Sequence, residues 1–297
     1  MKITKTFLSV FLVTFLIGYV SVLPTKKTSA PNNLENVNLQ TQTYYNSTEE
    51  TSKPKDEDSF KPEIFGIIDV WELEDPKFKV KLMDISETGN NFQKEEIEAK
   101  SGETWLGLFN ENSKYQLLNT KIEIHPERRP DFGRKNSITI GLNKKTEPVF
   151  LLKNAKKLKQ GEVKTLYRRP SYDEAERLGI ELKSMGRGFI QEFEFEGRKY
   201  TFRVKEGSTK SNEKILALVL EIEKTSQIIH FIYYHESGDY VGNLLWVGDI
   251  DHDGKLDLYM DEYNYEKGGF GSSLFLSSEA EKGKLVKIVA SFGTSGC

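Results

Sequence analysis

Cysteine is nearly missing from this 297-residue chain: Cys297, the last residue, is the only one. With no second thiol there is no internal disulfide, and the fold rests on core packing and on any bound ion. Cys297 reads as a tail residue or as a thiol that bonds outside its own chain. Histidine is scarce too, with His125, His230, His235 and His252. His230 and His235 sit five apart, on opposite faces of a regular strand, and form no zinc pair. The chain has no H-E-x-x-H, no G-x-S-x-G and no Cys–His arrangement, so no catalytic residue is assigned. A carboxylate pair of the glycosidase kind stays open, since only geometry identifies one. Excess positive charge is lacking as well: the formal net charge is −3, and −7 once residues 1–30 with their four lysines are set aside. A mildly acidic chain is a poor match for phosphate backbones, so nucleic acid is not an expected partner.

Apolar residues are concentrated at the N-terminus and then almost vanish. Lys2 and Lys5 precede an apolar run from Phe7 to Leu23, an export signal by its basic and hydrophobic regions. Thr28-Ser29-Ala30 offers small residues for cleavage, and Pro31 opposes it. Uncleaved, residues 6–23 form a signal anchor and the only expected membrane contact. Either way the remainder is placed outside the cytosol: periplasmic, at the cell surface or secreted. Residues 31–61 are Asn, Thr, Ser, Gln, Glu and Lys with little to bury, which predicts a disordered linker.

Folded sequence begins near Pro62 and favours short strands separated by turns. Strands are expected at Ile64–Trp71, Phe78–Met83, Thr104–Phe109, Tyr115–Leu118, Lys121–His125, Ser137–Ile140 and Pro148–Leu152. Residues 94–100 form a helical turn or a loop, and 126–136, with Arg128, Arg129 and Arg134, a basic loop. Lys153–Gln160 reads as one or two helical turns. Ser171 as N-cap, early acids and Gly179 predict a short helix between them. From Gly188 the pattern becomes a meander. One hairpin turns at Glu196-Gly197 and another around Lys224-Thr225-Ser226, with closing strands at Ser272–Leu276 and Leu285–Val289. The expectation is a mainly β protein, an antiparallel meander, barrel-like or a sandwich, with one or two short helices. It divides into an N-terminal β unit at 62–155 and a C-terminal meander at 156–297.

Between two strands of that meander lies Asp249-Ile250-Asp251-His252-Asp253-Gly254-Lys255-Leu256-Asp257. Acids stand at loop positions 1, 3, 5 and 9, and glycine at position 6 permits a sharp turn. Alternate carboxylates on a tight loop converge on one point, which suits Ca²⁺ with its six to eight oxygen ligands. Position 12 is Met260 rather than the bidentate Glu of an EF-hand, and the flanks alternate as strands do. The pattern D-x-D-x-D-G-x-x-D between strands resembles the single calcium loops of FG-GAP and integrin-type repeats. That resemblance implies Asp249, Asp251, Asp253 and Asp257 as side-chain ligands, with the Lys255 carbonyl beside them, and an ion that rigidifies a hairpin. With no second copy of the loop, a propeller is not implied. The competing reading is an acidic solvated turn without metal.

Three functions follow: an exported calcium-binding β protein with a binding or envelope role, whose partners are a glycan or an envelope protein; a calcium-dependent hydrolase of extracellular glycans; and a membrane-tethered assembly protein. Tyr259, Asp261, Glu262, Tyr263, Tyr265 and the Gly268–Gly271 loop either line a sugar-binding surface or are simply strand and loop. Asp261 and Glu262 also offer further oxygens to the ion.

Overall fold

A computed structural model of the protein describes residues 65–68, 80–83, 91–127, 136–144, 146–209, 212–233, 240–264 and 269–294. The expected export signal and linker, the centre of the basic loop, His235, the Tyr265–Gly268 segment and Cys297 lie outside the described residues. Among the described residues no helix is long and apolar enough to cross a membrane.

The strands are β1 (Phe65–Ile68), β2 (Lys81–Met83), β3 (Asn91–Gln93), β4 (Thr104–Glu111), β5 (Lys114–Pro126), β6 (Ser137–Leu142), β7 (Pro148–Lys153) and β8 (Gly161–Arg168). After helix α1 (Tyr172–Leu178) follow β9 (Ile190–Phe195), β10 (Arg198–Thr209), β11 (Lys214–Ile222), β12 (Thr225–Tyr233), β13 (Asn243–Asp249), β14 (Asp257–Asn264), β15 (Gly269–Leu276) and β16 (Lys287–Thr294). Nine of them run in the order β16-β15-β14-β13-β8-β5-β4-β7-β2. β2 returns to lie beside β16, giving a nearly closed, antiparallel, barrel-like sheet. β6 and β3 extend it from the far half of β5. A second sheet holds β9, β10, β11 and β12, with β1 added in parallel to β10.

Turn chemistry accounts for the hairpins. Asn112 and Ser113 both have positive φ (54° and 65°), as do Glu196 and Gly197 (49° and 69°), the backbone of the two-residue turns whose twist matches paired strands. Ser171 Oγ accepts from Glu174 N, and Gly179 closes α1 in the left-handed region at φ 67°.

Side-chain alternation explains the packing. Trp246 and Tyr259 point into the barrel with Leu108, Leu117, Phe150, Val163 and Leu274. Phe150 stacks 4.7 Å from Tyr259 and 6.2 Å from Trp246. Val247, Leu258, Met260 and Phe275 point outward and pack against Phe193, Phe202, Leu216, Leu218 and Leu220 of the second sheet. β13 is therefore buried on both faces, which is why Leu244-Leu245-Trp246-Val247 is a continuous apolar run.

Several details differ from the sequence expectation. The Lys153–Gln160 stretch is an irregular loop instead of helical turns: Asn154 takes φ 65° straight after β7, and Gly161 begins β8. The two strands expected at Tyr115–Leu118 and Lys121–His125 are one, because β5 continues through Asn119 and Thr120 with unbroken pairing to β4. The last strand lies at Lys287–Thr294 instead of Leu285–Val289, because the Gln227 side chain binds the backbone of Leu285 and Val286. β8, not anticipated, bonds to β5 on one edge and to β13 on the other.

Candidate metal centre

The β13–β14 hairpin opens at residues 250–256 into the acidic loop. Its entry is fixed by Gly248, where an added Cβ would lie 2.4 Å from Lys164 O and 2.4 Å from the Trp246 ring. Its apex uses two residues of positive φ, His252 (62°) and Gly254 (77°). His252 is exposed. Gly254 therefore fills the turning role that position 6 requires.

Three of the anticipated carboxylates meet. Asp249, Asp251 and Asp257 each bring an oxygen to within 4.8 Å of the others, a group that could hold a metal ion. Asp249 is 7 % exposed and Asp257 is fully buried. Main-chain donors hold them there. Asp253 N donates to Asp249 Oδ1 (3.1 Å) and Asp251 Oδ1 (3.2 Å), and Gly254 N to Asp249 Oδ2 (3.1 Å). Ile250 N donates to Asp257 Oδ2 (2.9 Å) and Ser277 N to Asp257 Oδ1 (2.8 Å). Asp249 Oδ1 and Oδ2, Asp251 Oδ1 and Asp257 Oδ2 each take one of these donors and keep a lone pair for a cation.

Asp253 stands outside that trio. Asp253 Oδ1 accepts from Lys255 N (2.8 Å) and Ser277 Oγ (3.0 Å), and its Oδ2 lies 3.5 Å from Lys255 Nζ. In this arrangement Asp253 braces the turn. Asp261 is far along β14, where it accepts from Asn243 N and Nδ2 (2.7 Å to the latter). Tyr259 is sealed in the barrel with its hydroxyl 3.0 Å from Ser272 Oγ, so it lines no sugar-binding surface.

Two serines join the cluster from another connection. Ser277 Oγ donates to Asp257 Oδ1 (3.1 Å) as well as toward Asp253, and Ser278 Oγ donates to Asp251 Oδ2. They follow β15, which the β14–β15 register brings alongside Asp257. Nothing local in the sequence marks them; only that register would have found them.

The electrostatics favour a counter-charge. Burial pushes Asp257 up to about 8, and the charge of Asp251 adds to the rise against the lowering bonds from Ser277 and Ile250. Burial also raises Asp249, with Gly254 N opposing and Asp251 adding. Three carboxylates this close, two of them out of water, need either a proton or a cation to share the space. A hard cation suits a donor set made only of oxygen. No family model, no curated protein and no solved structure matches the chain.

Proposed function

We propose that this chain is an exported calcium-binding β protein whose ion is held by Asp249, Asp251 and Asp257 and stabilises the C-terminal hairpin. The convergence of the three carboxylates on backbone amides carries the reading. Ca²⁺ is preferred over Mg²⁺ because an irregular loop offers variable distances and several oxygens, whereas Mg²⁺ demands a near-ideal octahedron. Export supports this choice, since calcium outside cells is abundant enough to fill modest sites. Lys2, Lys5 and the Phe7–Leu23 run support export. The ion's role is structural: the acidic loop meets the Ser277–Ser278 turn there, so binding ties the β13–β14 hairpin to the β15–β16 connection. The stabilised barrel then presents a surface to a glycan or an envelope protein.

Thermal melts of the full chain in chelator, in calcium and in magnesium test this. Binding to the folded state alone adds roughly 1.5–3 kcal/mol when calcium is about ten to a hundred times its Kd. A rise of several degrees specific to calcium, absent in Asp251→Ala, is expected. Equal melts in all three conditions would reduce the loop to an acidic turn.

A further inference from the structure

At the same end of the barrel as the acidic loop, the β7–β8 connection forms one wall of an open cleft of about 510 Å³. That volume lies in the range of small-molecule and oligomer subsites. Half-buried Leu106 and Leu158 give it an apolar part, and its rim carries Lys153, Lys156 and Lys159. No Asp or Glu is among the described residues that line it, in a chain where acids outnumber bases. Lys153 is neutralised by Glu103 at 2.7 Å. Lys156 and Lys159 are exposed and have no acidic partner among the described residues, whereas neighbouring Lys157 pairs with Glu279 and Lys164 with Glu196. Two uncompensated ammonium groups therefore overlook one cleft.

The loop that carries them is fixed. Lys156 N donates to Asn154 O (2.9 Å) and Leu158 N to Ala155 O (3.0 Å). Ala155 and Leu158 pack on the barrel core, the Lys157–Glu279 pair ties the loop to the β15–β16 connection, and Gln160 Oε1 accepts from Asn119 N (3.3 Å). A rim held in place loses less entropy when it binds.

We propose that this cleft is a binding subsite for an acidic glycan, a sugar chain bearing carboxylate or phosphate groups. Lys156 and Lys159 meet its anions, the exposed amides of Asn119 and Gln160 meet its hydroxyls, and half-buried Leu106 and Leu158 take the apolar face of a ring. The alternative polyanion, nucleic acid, fits less well. Single strands bind by stacking bases on open aromatic faces, and Trp105, the aromatic residue of the lining, is only 2 % exposed. The inference does not depend on the cation site.

The test is titration calorimetry of the full chain with hexagalacturonate and with a glycerol-phosphate oligomer, the two anionic chemistries being separate arms. Maltohexaose serves as the neutral control and a single-stranded oligonucleotide as the competing class. All arms are run in chelator, below the melting transition, so that calcium plays no part. Saturable, salt-sensitive binding of at least one acidic glycan is expected, with none of maltohexaose. Lys156→Glu combined with Lys159→Glu should weaken it roughly tenfold or more, since each tenfold corresponds to about 1.4 kcal/mol and two ion pairs are reversed. Lys156→Gln combined with Lys159→Gln should give a smaller loss with an unchanged melt, which separates charge from folding. Absence of binding by both acidic glycans, indifference to the double reversal, or tighter binding of the oligonucleotide each overturns the proposal.

Discussion

Held between the amides of Ile250 and Ser277, the Asp257 carboxyl binds its proton more tightly in the folded chain than in the unfolded one, because burial and Asp251 both oppose its charge. Its folded value of about 8 lies above the ordinary 3.8, so the stability it contributes is fully present below 3.8 and is lost as pH rises through 8. Without a cation, melting temperature should therefore fall between pH 4 and pH 8. With calcium bound, the ion supplies the counter-charge and the fall should flatten or vanish. Melts across that window, with and without chelator, check both halves, and a calcium-independent slope would mean that a proton alone manages the site. Ser277 serves the same carboxylate. Its hydroxyl is buried and reaches Asp257 and Asp253, so below pH 8 in chelator, where Asp257 keeps its proton, Ser277→Ala should cost about 0.5–1.5 kcal/mol, the size of an ordinary hydrogen bond. Denaturant unfolding measures it, and a loss within a few tenths would mean that Ser277 N alone holds Asp257.

Elements whose cause is local were legible in the sequence, and elements fixed by distant partners were not. Ser171 and Gly179 bracket α1 because a cap acts within one turn, and Glu196-Gly197 makes its hairpin because the turn needs positive φ. The acidic loop is legible for the same reason: Gly254 and the alternate aspartates set its shape within nine residues. By contrast β8 mixes Glu162, Lys164 and Arg168 with half-buried Thr165, Leu166 and Tyr167, and becomes a strand because β5 and β13 offer it two edges. Ser277 and Ser278 reach the cluster through the β14–β15 register, twenty or more positions away from their partners. The Asn112-Ser113 turn is where local chemistry falls short of its best, since Ser113 holds φ 65° with a Cβ. Ser113→Gly should therefore stabilise the protein by roughly 0.5–1 kcal/mol, as glycine relieves the left-handed conformation at some entropic cost in the unfolded chain. Gly248→Ala should do the reverse, because its Cβ meets the fixed carbonyl of Lys164 as well as Trp246. A loss of about 1–3 kcal/mol is expected, together with weaker calcium binding, since β13 must shift where it delivers Asp249.

At the scale of the whole molecule, the outward face of β13, β14 and β15 is also the floor of the second sheet, so neither surface is finished alone. Phe202 is completely buried in that layer, 5.6 Å from Phe193, on a strand that shares no hydrogen-bonded edge with the barrel. Phe202→Ala should cost about 3–5 kcal/mol, the range for removing a buried aromatic ring. If the two sheets fold as one cooperative body, that cost falls on both, and amide exchange should quicken in β4 of the barrel as well as in β11 beside the mutation. Gln227 strengthens the coupling from the other side. Its amide holds Leu285 and Val286, on the connection that also carries Ser277 and Ser278 to the aspartates. Calcium should then slow exchange in β12. Exchange that quickens only in the second sheet of Phe202→Ala, with β12 indifferent to calcium, would mean that the barrel and its cover open independently and that the ion acts on the hairpin alone.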